Sequence, residues 1–330
     1  NLAIGYGAYR QSDTENDNIG IGYQAMHTDT AGGEYNIAIG NYALDALTSG
    51  DENVAIGHSA MTTETTGFQN TALGAGAAYS QNDEDYNTAI GYKVLHNGTG
   101  SSNTGVGASA LLTNTTGAEN VAVGTDALKL NSTGQYNTAI GFEALKAHTT
   151  GNYNVAIGWQ SGLSTTSGGI NTGVGGRSLR LNTTGSGHTA IGWKTLETMA
   201  TNHNSTAVGY HALKLTTVSD NTAVGSEALT VCSTGINNTG MGQSVLVACT
   251  TGNNNSALGF GAGSAVTTGV HNAILGSGAG PSITEGGSNI CIGRNSGADL
   301  TTGSQNILIG YNSTIAGAAY GSTIVFGFGL

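Results

Sequence analysis

Apolar and polar residues alternate over five positions and then repeat. Asn137-Thr138-Ala139-Ile140-Gly141 shows the unit: a polar residue, a branched one, a small one, a large apolar one, and glycine. Number the asparagine 1 and the glycine 5. The glycine then falls at Gly5, Gly22, Gly40 and on to Gly327, twenty times, every interval being 17 except one of 18 and two of 16. Position 4 is always sizeable and apolar (Ile4, Leu73, Val123, Met241, Phe326), position 2 is mostly Thr, Val or Ile, and position 3 is Ala or Gly in the first sixteen copies. Such a run predicts a short β-strand with residues 2 and 4 on one face and residue 3 on the other. The larger pair is expected to fill the interior. Glycine at 5, as at Gly91, Gly124, Gly141 and Gly158, is expected to turn the chain where a side chain would obstruct it.

A second apolar pair follows at positions 8 and 9, usually Ala-Leu, as at Ala127-Leu128 and Ala144-Leu145, and the unit closes with Thr-Thr-Gly or a relative of it. Two glycine corners per repeat suggest two short strands per turn and leave no room for a helix. A strict period over the whole chain is the mark of a solenoid. The reading is therefore all-β: a parallel β-solenoid of about twenty 17-residue turns. Residues 1–258 form regular repeats, of which 1–85 are acidic. Residues 259–330 are a variant in which Ala-Leu becomes Ala-Gly or Ser-Gly, while position 3 grows to Ile274, Cys291, Leu308 and Val325.

Position 1 is Asn in seventeen of the twenty copies, with His188, Ser205 and Thr323 as the exceptions. Stacked once per turn, Asn87, Asn120, Asn137 and Asn154 are expected to form an amide ladder. Two large side chains per turn make a poor core against the cost of ordering seventeen residues, so side-by-side self-association is the expected way to complete burial.

Composition narrows the class. Fifty-five glycines with a single proline, Pro281, exclude a collagen-like chain. The net charge of −11 lies almost wholly in residues 1–85, where twelve acids face one base, Arg10; nucleic-acid binding is not expected from such a balance. No apolar run reaches eighteen residues, so no membrane-embedded segment is expected, and no signal peptide is visible in the sequence. Cys232 and Cys249 occupy the same point of consecutive repeats. Neighbouring turns about 4.8 Å apart would bring them within bridging distance, so stacked thiols and a disulfide both stand open.

Candidate chemistry is thin. Position 6 is aromatic in ten copies, Tyr92, Phe142, Trp159, Trp193 and Tyr210 among them; such a stripe suits either packing between chains or stacking on a ligand. Acidic insertions at Asp13, Glu15 and Asp17 and at Asp83, Glu84 and Asp85 offer oxygens of the kind Ca²⁺ takes, or are solvated loops. No calcium-binding loop motif accompanies them. The eight histidines show no ligand spacing, and the Gly-x-Gly runs belong to the repeat rather than to a strand–helix unit. No nucleophile, base and oxyanion set recurs, so no enzyme is expected, and no cofactor beyond Ca²⁺ is suggested.

The Asn-Thr-Ala-Ile-Gly strand resembles the Ser-Val-Ala-Ile-Gly repeat of the YadA-like heads of trimeric autotransporter adhesins. The longer unit with Ala-Leu and Asn-Thr-Thr-Gly, as at Asn182-Thr183-Thr184-Gly185, is similar to repeats of phage tail fibres and large secreted surface proteins. The resemblance implies a left-handed β-roll, three copies side by side, and an extracellular place on a bacterial surface or virion. It also implies a host receptor, glycan or matrix protein as partner. The unit here is longer than the usual adhesin repeat. A self-assembling filament and an ice-binding solenoid with threonine ladders are the alternatives.

Overall fold

The structure, a computed structural model, describes residues 1–10, 16–28, 32–315 and 321–328. It divides into two units, Asn1–Gly169 and Ile170–Leu330. Each is a parallel β-solenoid. Among the described residues the first carries ten three-residue strands from Leu2–Ile4 to Val155–Ile157, the second ten from Thr172–Val174 to Ile324–Phe326. Within each unit every strand pairs in parallel with its neighbours in the chain, and equivalent positions face one another, as in Thr138↔Val155, Ala139↔Ala156 and Ile140↔Ile157.

The strand faces the opposite way to the sequence expectation. Position 3 points inward: Ala38, Ala55, Ala139 and Ala190 are fully buried. Positions 2 and 4 point outward, and Ile39, Leu73, Ile140 and Ile191 are among the exposed large side chains. The reason is width. Position 3 packs against the pair at 8 and 9, both buried, so the space beneath the strand admits little more than a methyl group. In the last turns, where position 9 becomes glycine at Gly263, Gly280 and Gly297, position 3 carries the larger side chain. A Cβ on Gly263 would lie 2.9 Å from Ile274 Cδ1, and one on Gly297 would lie 2.8 Å from Cys291 Sγ. Positions 3 and 9 thus compete for one volume, which explains the exchange in the variant repeats.

Each turn holds one strand rather than the two expected. After the glycine the chain runs through left-handed residues at positions 7 and 9, such as Glu143 (φ 56°) and Leu145 (φ 49°), and coils instead of extending. Each such non-glycine residue costs about 1–2 kcal/mol. Hydrogen bonds between turns offset it: the Glu143 N–H donates to Thr125 O and the Leu145 N–H to Ser161 O, both at 3.0 Å.

A buried asparagine column and a second column of mixed polar and apolar residues flank the core. In the first unit Asn137 donates through Nδ2 to Gly151 O (3.0 Å) and Asn120 Oδ1 (3.1 Å), and its own Oδ1 accepts from the Asn154 N–H (3.0 Å). In the second, Asn255 does the same with Gly269 O, Asn238 Oδ1 and the Asn272 N–H. The other column lies at position 12, three residues before the closing glycine. Asn114 and Asn131 each donate to that glycine's carbonyl, as does His148 through Nε2, while Glu64 Oε1 accepts from the Gly67 N–H. In the second unit the column holds Cys232 and Cys249. They are buried free thiols rather than a bridge, and the hydrogen bond to Cys249, together with burial, raises the Cys232 pKa.

Among the described residues no helix is long and apolar enough to cross a membrane.

Candidate functional site

The outward face of the sheet follows from the strand geometry. Residues at position 4 line up once per turn as a half-exposed apolar ridge: Ile39, Leu73 and Ile140 in the first unit, Ile191, Met241, Leu258 and Leu275 in the second. Beside it runs position 2. In the second unit Thr172, Thr189, Thr206, Thr222 and Thr239 stand in register. Position 2 then shrinks to Ser256 and Ala273, and a groove of about 290 Å³ opens between these residues and Met241, Leu258 and Leu275.

The position-6 aromatics are exposed in both units. Tyr92, Phe142 and Trp159 of the first are 56%, 47% and 41% accessible, and Trp193 and Tyr210 of the second 40% and 50%. They do not form one unbroken column. Between Tyr92 and Phe142 the position holds Ala108 and Thr125, and between His58 and Tyr92 it holds Ala75. Stacking is local: Tyr6 lies 5.5 Å from Tyr23. A second set of rings, not anticipated from the sequence, stands just before the asparagine. Tyr136 and Tyr153 stack there at 4.8 Å and 2°. Aromatic groups therefore border the sheet face at both ends of the strand.

Asp13 and Glu15 lie outside the described residues. Asp17 is exposed, with a left-handed φ of 61°. Asp83 Oδ1 accepts hydroxyl hydrogen bonds from Thr65 (2.9 Å) and Thr66 (2.7 Å), which lower its pKa. Glu84 Oε2 accepts from the Asn82 N–H (2.6 Å), and Asp85 Oδ1 from the Phe68 N–H (3.0 Å). These carboxylates tie one turn to the next or close their own corner. Among the described residues no three His, Cys, Asp or Glu side chains gather as a metal-binding group.

One cluster escaped the sequence reading. His58, Ser59, Tyr79, Tyr92, Lys93 and His96 surround an open cavity of about 250 Å³ in the first unit. It exists because Ala75 and Gly76 stand where the turns on either side carry His58-Ser59 and Tyr92-Lys93. Gly76 is in the left-handed region (φ 64°), and a Cβ there would come within 3.3 Å of His96 Nδ1. His96 is fixed by its Nδ1–H, which donates to Gly76 O at 2.9 Å, and by its ring, 4.9 Å from that of Tyr79. Lys93 Nζ lies 5.4 Å from the centre of the Tyr92 ring. The signal for it in the sequence is Ala75-Gly76 at positions 6 and 7, between turns that carry His58-Ser59 and Tyr92-Lys93 there. No protein-family model matches this chain, and comparison with the curated proteins finds no match.

Proposed function

We propose that the chain is part of an extracellular structural and adhesive fibre, carried on a bacterial surface or a virion. In this reading three copies pack side by side as a left-handed β-roll and present their corners to a host receptor, glycan or matrix protein. The observation that supports it is the ridge at position 4. Large apolar side chains repeat there once per turn on the outside of the sheet, as Ile39, Leu73 and Ile140 do in one unit and Leu258 and Leu275 in the other. A long apolar ladder facing water marks an interaction surface, and full cover of one such side chain is worth about 1.5–3 kcal/mol. A periodic ridge is matched turn for turn only by another surface of the same period, and a further copy of this chain has it. The resemblance to adhesin-head and tail-fibre repeats adds the trimer and the outward role. Native mass measurement tests the assembly: a trimer is expected, and a stable monomer at micromolar concentration overturns it.

A second reading has one specific observation behind it. Position 2 is outward rather than interior, and five consecutive threonines, Thr172 to Thr239, stand in register on the second unit's sheet face. Regular hydroxyls on a sheet of about 4.8 Å repeat are what an ice-binding face requires. Against it, the adjacent position-4 column is Val174, Ile191, Val208, Val224 and Met241, so the threonines form a single file. Thermal hysteresis of the dissolved chain would favour this reading; its absence leaves the adhesive fibre.

A further inference from the structure

We propose that the notch at Ala75-Gly76 is a binding site for one acidic sugar unit, a pyranose carrying a carboxylate. The proposal deepens the adhesive reading by naming a ligand class and a place, and it rests on that reading for its biological sense.

Charge comes first. Between Arg10 and Lys129 the chain has a single lysine or arginine, Lys93, and it lies on this cavity. Among the described residues no carboxylate lies within ion-pair distance of Lys93, whereas Lys129 and Lys146 farther along are bound to Asp126 and Glu143. A stretch otherwise dominated by acids therefore places its one lysine, over the Tyr92 ring and with no carboxylate partner, where a ligand can enter, and one cation suits one anionic group.

The walls argue for a sugar. Tyr79 and Tyr92 supply aromatic surface of the kind that packs on the C–H face of a pyranose, and an inorganic anion makes no use of it. Because His96 Nδ1–H is spent on Gly76 O, its Nε2 is the nitrogen presented to a ligand, and in the neutral ring it accepts a hydrogen bond from a hydroxyl. The Ser59 hydroxyl and the His58 ring add donors and acceptors on the opposite wall. A few convergent polar groups on an aromatic-lined cavity describe a small-molecule site in general terms. At about 250 Å³ this one is below the roughly 300–1,000 Å³ of drug-sized sites, so it holds a single ring rather than an oligomer or a nucleotide.

The floor is specified by sequence. Ala75 is exposed where its neighbours in the column are His58 and Tyr92, so the notch is a deletion of side chains from an otherwise filled corner and needs no movement to open.

Saturation-transfer NMR and titration calorimetry on the whole chain test this, with glucuronic acid and N-acetylneuraminic acid as probes and with glucose and inorganic phosphate as controls. The acidic sugars are expected to bind in the millimolar range. Lys93→Gln is expected to weaken them about tenfold, and Ala75→Tyr, which fills the notch with a residue already tolerated one turn later, to abolish binding. Lys214→Gln, in the second unit, is expected to change nothing. Equal binding of glucose, displacement of the sugars by phosphate alone, unchanged affinity in Lys93→Gln, or no binding at tens of millimolar would each overturn the site. Circular dichroism verifies that all three variants fold. The oligomeric state, measured on the same samples, separates the outcomes: a trimer that binds no acidic sugar removes the site and leaves the fibre, whereas a monomer that binds it does the reverse.

Discussion

The Oδ1 of Asn137 accepts the backbone N–H of Asn154, one turn further on, at 3.0 Å. This bond, with the two that Asn137 donates, fills a place where the chain leaves a closing corner and enters a strand. Replacing Asn137 by Ala leaves the buried Asn154 N–H without its acceptor, whereas Gly151 O keeps the bond from His148 Nε2 and Asn120 Oδ1 keeps the bond from the backbone N–H of residue 137. An unsatisfied buried group costs about 1–3 kcal/mol. We expect Asn137→Ala to destabilise the chain by about 1–3 kcal/mol in urea unfolding, and Asn137→Ser to recover only part of it. A loss below about 1 kcal/mol would show that the ladder is ornamental.

The invariant glycine has a steric reason that can be tested beside it. Gly141 has φ 130°, and a Cβ there would sit 2.6 Å from Gly158 O and 2.8 Å from Gly158 C. The obstruction is backbone and cannot swing aside. Gly141→Ala combines that clash with a backbone conformation few residues adopt, worth about 1–3 kcal/mol by itself. A melting temperature lower by ten degrees or more is expected, and an unchanged one would mean that the turn relaxes.

These two columns explain what was legible in the sequence. Asn at 1 and Gly at 5 are required by contacts with the same residue one turn away, so their period is the period of the coil, and the parallel solenoid could be read from it. Which side of the strand faces inward could not. Alternation shows that Thr138 and Ile140 share a face and Ala139 takes the other, but not which face is covered. The habit of placing the larger apolar residue inside fails here because Leu145 already occupies the interior. The cavity around Lys93 was hidden for a related reason. His58 and His96 are 38 residues apart and hold different repeat positions. They meet only because left-handed residues after the glycine coil position 10 back beside positions 6 and 7.

Glu64 gives a pH dependence with a definite sign. Its carboxyl is buried, Oε2 has no hydrogen-bond partner, and burial raises its pKa from 4.5 to about 7. Below about pH 4.5 folded and unfolded chains both hold the proton and the residue is neutral to stability. Between 4.5 and 7 the unfolded chain releases it while the native state keeps it, so stability falls as pH rises. The full shift corresponds to a loss on the order of 3 kcal/mol above pH 7. Glu64→Gln keeps the shape and removes the charge, and should be more stable than the parent at pH 8 but nearly equal to it at pH 4. Parallel melting curves at both pH values would contradict the burial of this carboxyl.

Two histidines act in the opposite direction. His148 and His188 stand in for asparagines, donating through Nε2 to Gly151 O and Asn202 O at 2.7 Å each, and His188 Nδ1 accepts the Ser205 N–H. Burial lowers both pKa values below 6.5. Their neutral form is the native one, so stability is retained above pH 6.5. It declines as pH falls below that value, because the unfolded chain gains protons that the folded chain resists. The double variant His148→Asn, His188→Asn restores the residue found elsewhere in each column. It should lose less stability between pH 7 and pH 5 than the parent. An identical decline in both would place the acid sensitivity in other groups.

The outward face supplies the last prediction, and it separates the fold from the assembly. Ile140 and Leu258 are 37% and 48% exposed, whereas Ala139 is fully buried. A lysine at 140 or 258 keeps its ammonium in water while its stem lies along the sheet, so Ile140→Lys and Leu258→Lys should leave each chain folded, with its circular dichroism unchanged. If identical chains cover this ridge, the same lysines place uncompensated charges in an apolar contact, and the trimer expected by native mass measurement should dissociate. Ala139→Lys is the opposite control. Its side chain enters the space held by Ala144 and Leu145, and the chain should fail to fold at any concentration. An Ile140→Lys chain that fails to fold as Ala139→Lys does would return position 4 to the interior. A Leu258→Lys chain that remains trimeric would move the contact between copies to another face.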